Sequence, residues 1–168
     1  MRWAWRTVAV GALVLVLGGG SAAALSRSAR ITTAGLGPIK IGMTERQVEK
    51  AAKRSITRRG GAGSGECTTA TIGDKTYGLF TGDRLARIYV GTRRYATRSG
   101  VRVGDAESKV LATYPGKIVR ERHKYDPGGS YLKIVEGNRK VVFETDGSRV
   151  TTISTGRRPE IDYVEGCA

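Results

Sequence analysis

Apolar residues fall along this chain in short bursts, and their spacing changes from one burst to the next. Val48, Ala51, Ala52 and Ile56 recur at i, i+3, i+4 and i+8, with Lys50, Lys53 and Arg54 outside the stripe, which predicts a short amphipathic helix. Thr44-Glu-Arg-Gln47 ahead of it is a capping box, in which Thr hydroxyl and Gln amide satisfy backbone N–H groups reciprocally. Asp105 is expected to cap a second helix whose inner face is Val110, Leu111 and Tyr114, stopped by Pro115-Gly116. Elsewhere the period is two. Thr76 to Phe80 and Leu85 to Val90 flank the turn Thr81-Gly-Asp-Arg84, and Ser130 to Val135 and Lys140 to Thr145 flank Glu136-Gly-Asn-Arg139. Asp146-Gly147-Ser148 then turns the chain into Val150 to Ser154. Tyr131, Lys133 and Val135 alternate with Leu132, Ile134 and Glu136, the pattern of an antiparallel sheet with helices on one face and water on the other.

These elements occur twice. Ile39-Lys-Ile-Gly42-Met-Thr-Glu-Arg-Gln-Val48 aligns with Val101-Arg-Val-Gly104-Asp-Ala-Glu-Ser-Lys-Val110, and Arg84-Leu85-Ala-Arg-Ile88 with Arg149-Val150-Thr-Thr-Ile153. The expectation is an α+β protein of two tandem modules, each a short helix packed on an antiparallel β-meander, spanning 35–96 and 97–168. Gly60-Gly-Ala-Gly-Ser-Gly65 is expected to be a flexible loop, and residues 25–34 a flexible linker.

The start of the chain has a different pattern. Arg2 and Arg6 precede an uncharged apolar run, Thr7 to Leu17, then Gly18-Gly-Gly-Ser and Ala22-Ala23-Ala24. That is the order of a secretory signal peptide over 1–24, cleaved near Ala24; an uncleaved membrane anchor is the alternative. Its removal takes two arginines and no acid, so the formal charge of +14 becomes +12 and belongs to the exported part. The basic residues cluster at Lys50/Lys53/Arg54, Arg58-Arg59, Arg93-Arg94, Arg120/Arg122/Lys124, Arg139-Lys140 and Arg157-Arg158. Such a field attracts anionic polymers and surfaces. Outside the cytoplasm these are lipid headgroups and envelope polymers rather than nucleic acid, and a solvated surface without a specific ligand is the competing account.

Cys67 and Cys167 are the only cysteines, an even count that in an exported chain reads as one disulfide. With a single His the chain lacks the ligands of the usual zinc and iron–sulfur sites, so no metal or cofactor is expected. No nucleophile-elbow, zincin or phosphate-loop motif is present. His123 lies near Asp126 and Ser130, but Asp126-Pro-Gly-Gly is turn chemistry, so it is read as an exposed loop histidine. Glu144 and Asp146 share a strand face two residues apart and are read as solvated charges, and no catalytic residue is assigned. Two aromatic–basic clusters suit partner binding: Tyr89, Arg93, Arg94 and Tyr95, and Arg122, Lys124, Tyr125 and Tyr131, beside Lys133. The tyrosines could equally be half-buried sheet residues.

Gly35-Leu-Gly-Pro-Ile-Lys-Ile-Gly-Met-Thr44, followed by a short helix and a meander, resembles the tandem modules of the beta-lactamase inhibitory protein family. It also resembles the small outer-membrane lipoproteins of the barrel-assembly machinery, which open with I-x-x-G-M-T. Gly100-Val-Arg-Val-Gly-Asp105, Tyr114-Pro-Gly116, Phe143-Glu-Thr-Asp-Gly147 and Tyr163-Val-Glu-Gly-Cys167 are similar to uncharacterised secreted proteins of high-GC Gram-positive bacteria. The resemblance covers roughly 35–167 and implies the helix-plus-meander fold. The lipobox cysteine is absent, and the one disulfide would join the modules rather than lie within each, so no inhibitory residues are carried over. The expected function is that of an exported, monomeric, non-enzymatic binding module. Its partner would be an anionic envelope polymer, a lipid surface or an extracellular protein, with a secreted enzyme inhibitor or a wall-active hydrolase as alternatives.

Overall fold

In chain order the elements are β1 Arg30–Thr32, β2 Gly35–Leu36, β3 Ile39–Lys40, α1 Glu45–Ala52, β4 Thr57–Gly60, β5 Cys67–Gly73, β6 Thr76–Thr81, β7 Arg84–Val90 and β8 Ala96–Thr97. They continue as α2 Glu107–Thr113, β9 Val119–Arg122, β10 Ser130–Glu136, β11 Arg139–Thr145, β12 Val150–Arg157 and a 3-10 turn at Glu160–Asp162. This computed structural model describes residues 25–60 and 67–167; the segment expected to be a signal peptide and most of the glycine-rich loop lie outside the described residues. The class is α+β.

The capping box forms as the sequence predicts. Thr44 Oγ1 accepts from Gln47 N (3.4 Å), and Gln47 Oε1 accepts from Thr44 N (2.8 Å). Val48, Ala51 and Ala52 face the interior, and the helix stops at Lys53, which takes the left-handed conformation (φ 52°). Ile56 is buried too, but beyond the helix end. The second helix departs from expectation at both ends of its stripe. Its N-cap is Ala106, which has no capping side chain, because the Asp105 carboxylate is turned to Arg102 N–H, Arg93 and Lys109. Leu111 is exposed, so the inner face is made by Val110, half-buried Tyr114 and the buried Glu107.

The strands make two sheets. Eight form one antiparallel sheet in the order β4-β5-β6-β7-β12-β11-β10-β9, so each half of the chain supplies four strands and the halves meet at β7 and β12. The repeated motifs occupy equivalent places. Gly42 N–H donates to Leu85 O and Leu85 N–H to Met43 O; Gly104 N–H donates to Val150 O and Val150 N–H to Asp105 O. Arg84 Nη1 reaches Gly42 O (3.3 Å) as Arg149 Nη1 reaches Gly104 O (3.0 Å). One interior serves both halves: Val48, Leu85 and Ile88 share a cluster with Val110, Leu132, Phe143 and Ile153.

Residues 25–34 are a correction. Ala29 and Ile31 are apolar and buried, and β1 pairs with β2 and, in parallel, with β8 at the junction between the halves. Thr155 Oγ1 also donates to Thr32 O (2.6 Å), so the segment expected to be a linker belongs to the packed fold.

Candidate functional site

The large sheet buries one face. Leu132, Phe143, Ile153 and Val90 line up across four neighbouring strands against the interior. On the other face runs the row Lys133, Val142, Ser154, Tyr89 and Tyr77, flanked by Glu121, Tyr131 and Glu144 on one side and Lys140 and Arg87 on the other. Alternation along β7, β10 and β11 puts these side chains together, since successive residues point to opposite faces.

Among the described residues no α-helix covers this face, since α1 and α2 pack on the interior cluster through Val48 and Val110. The C-terminal segment after β12 crosses it toward β5, where Cys167 is bonded to Cys67. Its Ile161 is buried, Asp162 pairs with the buried Lys140, and the Tyr163 carbonyl accepts from Arg87 Nη1 (2.5 Å). Glu165 accepts from the Tyr125 hydroxyl and from Lys124 Nζ (3.1 Å), which holds its carboxyl below the usual range, while Tyr125 and then Glu165 raise the lysine. Between this strap and the strands lies a cleft of about 380 Å³, lined by Arg87, Tyr89, Tyr131, Lys133, Glu144 and Tyr163 among others. Arg87 stacks its guanidinium 4.0 Å from the Tyr89 ring centroid and donates to Ser154 Oγ (3.2 Å), while its buried Nε has no partner among the described residues. Burial pushes the Arg87 guanidinium below its ordinary value, against the opposing effect of Tyr89, and raises the hydroxyls of Tyr89 and Tyr131.

His123 is not the exposed histidine the sequence suggests. Its side chain is 11% exposed, stacked on Tyr131 at 4.6 Å between centroids, and its Nε2 lies 2.7 Å from Glu144 Oε1. Nδ1 accepts from the backbone N–H groups of Tyr125 (3.1 Å) and Asp126 (2.9 Å). Two donors require a lone pair there, so we assign the ring proton to Nε2, donated to Glu144. Nδ1 thus shapes the 123–129 turn while Nε2 ties the ring to Glu144 on β11, so both ring nitrogens are engaged in this structure. Asp146 is at a separate turn, accepting from Ser148 and Arg149 N–H through Oδ1, and these two bonds hold its carboxyl below the usual range. The buried Ser130 accepts from Arg120 Nε (3.0 Å).

The two aromatic–basic clusters fare differently. Tyr125, Lys124 and Tyr131 come together beside the strap, but Arg122 lies on the face opposite Tyr131, in line with Arg120 and Ser130. Tyr89, Arg93, Arg94 and Tyr95 are split. Tyr89 is on the outer face, whereas Tyr95 is buried in the core (3% exposed) and only Arg94 lies near its ring (5.7 Å). Strand β7 ends at Val90, so the regular alternation that positions Tyr89 does not extend to Tyr95. Of the cleft residues, Arg87 carries no site signal in the sequence, Lys140 reads only as half of the basic pair Arg139-Lys140, and Glu144 reads as a solvated charge. Each sits in an ordinary strand pattern and becomes notable only through the strap folded over it.

Among the described residues no group of three or more His, Cys, Asp and Glu could hold a metal, and no helix is long and apolar enough to cross a membrane. No family model matches the chain, and no curated protein matches it. Among solved structures the fold is similar to the uncharacterized protein yfeY from Escherichia coli, with a TM-score of 0.52 at 15% identity, covering 77% of this chain and 99% of that one. It is also similar to an extracellular protein containing a SCP domain from Bacillus anthracis str. Ames, with a TM-score of 0.50 at 9% identity. That match covers 70% of this chain and 44% of the Bacillus chain, less than half its length. At these identities the likeness is one of fold. The Cys67–Cys167 bond points to an oxidising, extracytoplasmic setting.

Proposed function

We propose that this chain is an exported, non-enzymatic binding module of the cell envelope or extracellular space, with a basic surface that recognises an anionic polymer, a lipid surface or a protein partner. The observation that carries this reading is where the charges lie. The acids Asp105, Glu107 and Glu160 are buried and held in internal pairs, while Arg27, Arg46, Lys50, Arg94, Arg98 and Lys117 are among the exposed cations. Exposed cations also outnumber the exposed acids, such as Asp74, Asp83 and Glu136, and a surface of that balance attracts anions at long range. The signal-like N-terminus, the disulfide and the extracellular description of the SCP-domain protein agree with export.

The convergence of His123 and Glu144 beside a cleft favours a second reading, a wall-active hydrolase. Against it stands the occupation of both imidazole nitrogens. The test is to isolate the exported chain and incubate it with envelope preparations over a salt series. Retention at low salt and release as salt approaches about 1 M, where screening falls to roughly 3 Å, supports the binding module. No retention at low salt, or turnover of envelope polymer that disappears in Glu144→Gln, rejects it.

A further inference from the structure

Away from the strap, on the side where the described chain enters the fold, four arginines border one hollow. Arg27, Arg93, Arg94 and Arg102 line an open hollow of about 410 Å³ whose only other lining residue is Asp74. The cluster draws on segments distant in sequence: the N-terminal residues, the β5–β6 turn, the connector after β7 and the loop before α2.

The four have different parts. Arg93 Nη2 holds Asp105 Oδ1 (2.9 Å) and its Nη1 donates to Val103 O (3.1 Å). Arg102 Nη1 donates to the carbonyls of Arg93 (3.1 Å) and Arg94 (3.0 Å). These two tie the connector to the loop and fix the walls. Arg27 and Arg94 are exposed, and Arg94 is steadied over the buried Tyr95 ring. A hollow with preset walls and two further forked donors at its rim matches oxyanions that accept paired N–H bonds. Arg27 is two residues from Leu25, which packs against the core where the apolar N-terminal stretch ends.

We propose that this hollow is a phosphate-binding site, engaging phosphodiester or phosphate oxyanions through Arg27 and Arg94, on walls set by Arg93 and Arg102. The inference rests on the basic-surface reading above and gives that surface one location and one ligand chemistry. Whether the phosphate is carried by a lipid headgroup or by a soluble polymer is decided by the probe.

The test compares the exported chain, Arg27→Glu/Arg94→Glu and a charge-matched control, Arg46→Glu/Lys50→Glu on the outer face of α1. Each is titrated with phosphatidylglycerol vesicles and, separately, with inorganic polyphosphate at low salt; thermal melts confirm that all are folded. The hollow variant is expected to lose at least tenfold in affinity and the control less than threefold. Arg27→Lys/Arg94→Lys keeps the charge without the fork and should fall between. Binding to vesicles alone assigns the headgroup, to polyphosphate alone the polymer, and to both the phosphate group itself. Equal weakening of hollow variant and control would overturn the site while leaving a diffusely basic binder. Failure of the unaltered chain to bind either probe overturns the site, and it overturns the basic-surface reading as well if envelope retention is also absent.

Discussion

Asp105 shows how one carboxylate organises two segments of this chain. Burial alone would raise its pKa, but hydrogen bonds from Lys109 and Arg102 N–H and the charges of Lys109 and Arg93 outweigh it and hold the carboxyl below its ordinary value. A group depressed in the folded state contributes stability above its unfolded pKa of about 3.9 and loses that contribution as pH falls through the folded value. Asp105→Asn is therefore expected to destabilise the protein by about 1–3 kcal/mol at neutral pH, with the difference shrinking below about pH 4. Urea unfolding of both proteins at pH 7 and pH 3 checks this, and a gap unchanged by pH would count against it. At the β7–β12 seam, Gly156 answers to backbone rather than charge: an added Cβ would lie 2.6 Å from the Ala86 carbonyl oxygen. Gly156→Ala should cost about 1–3 kcal/mol, the range for overpacking, and should perturb the amide shifts of both strands. Asp105 also marks a limit of reading from sequence. Its position before a helix is legible, but Arg93 lies twelve residues earlier, and nothing local says that it folds back.

At the scale of elements, what could be read in advance is what short-range chemistry decides. Thr44 and Gln47 are three residues apart, so their reciprocal bonds are implied by the sequence and are present. The hairpins at Gly82-Asp83 and Gly137-Asn138 follow from turn residues between alternating runs. Strands β2, β3 and β8 are two residues long, too short for any period to register, and β9, Val119–Arg122, has all four residues exposed, so it lacks an apolar face to announce it. These strands exist because neighbours complete them. The same distinction separates the tyrosines: Tyr131 and Tyr89 lie on strands whose alternation sets their face, whereas Tyr95 follows the strand end and turns inward. The helices differ in a way that can be measured. Thr44→Ala should destabilise by about 1 kcal/mol, whereas Ala106→Ser supplies the hydroxyl that the second helix lacks and should stabilise by about 0.5–1 kcal/mol. The Ala106 backbone is already extended, as an N-cap requires (φ −63°, ψ 144°), so the gain needs no rearrangement. A melting temperature for Ala106→Ser at or below that of the parent would refute the symmetry of this argument.

For the whole molecule, the strap decides how much of the outer face is available, and its two ends are held by different forces. The half nearer β12 has buried Ile161, the Lys140–Asp162 pair and the Tyr163 carbonyl on Arg87. The far half, Tyr163 to Gly166, is mostly exposed, with Gly166 against the Tyr89 hydroxyl, and it is held by Glu165 and by the disulfide. Cross-linking residues 100 apart restricts the unfolded chain, a contribution of roughly 4–5 kcal/mol in the chain-entropy account. Replacing Cys67 and Cys167 together with serine should therefore lower stability by up to that amount. The release should nevertheless be partial: amides beyond Tyr163 should exchange rapidly, while those of β12 and the 160–162 turn stay protected. The Glu165 contacts with Lys124 and Tyr125 are exposed and contribute little once the covalent tie is gone, since solvent screens surface ion pairs. Ile161 and Asp162 by contrast are fixed by packing and a partly buried pair. Hydrogen exchange followed by mass spectrometry, read on peptides covering 150–167, separates the two halves. If protection were lost across the whole peptide in the serine variant, the strap would be a single unit held by its bond, and the packing at Ile161 would not be the anchor described here.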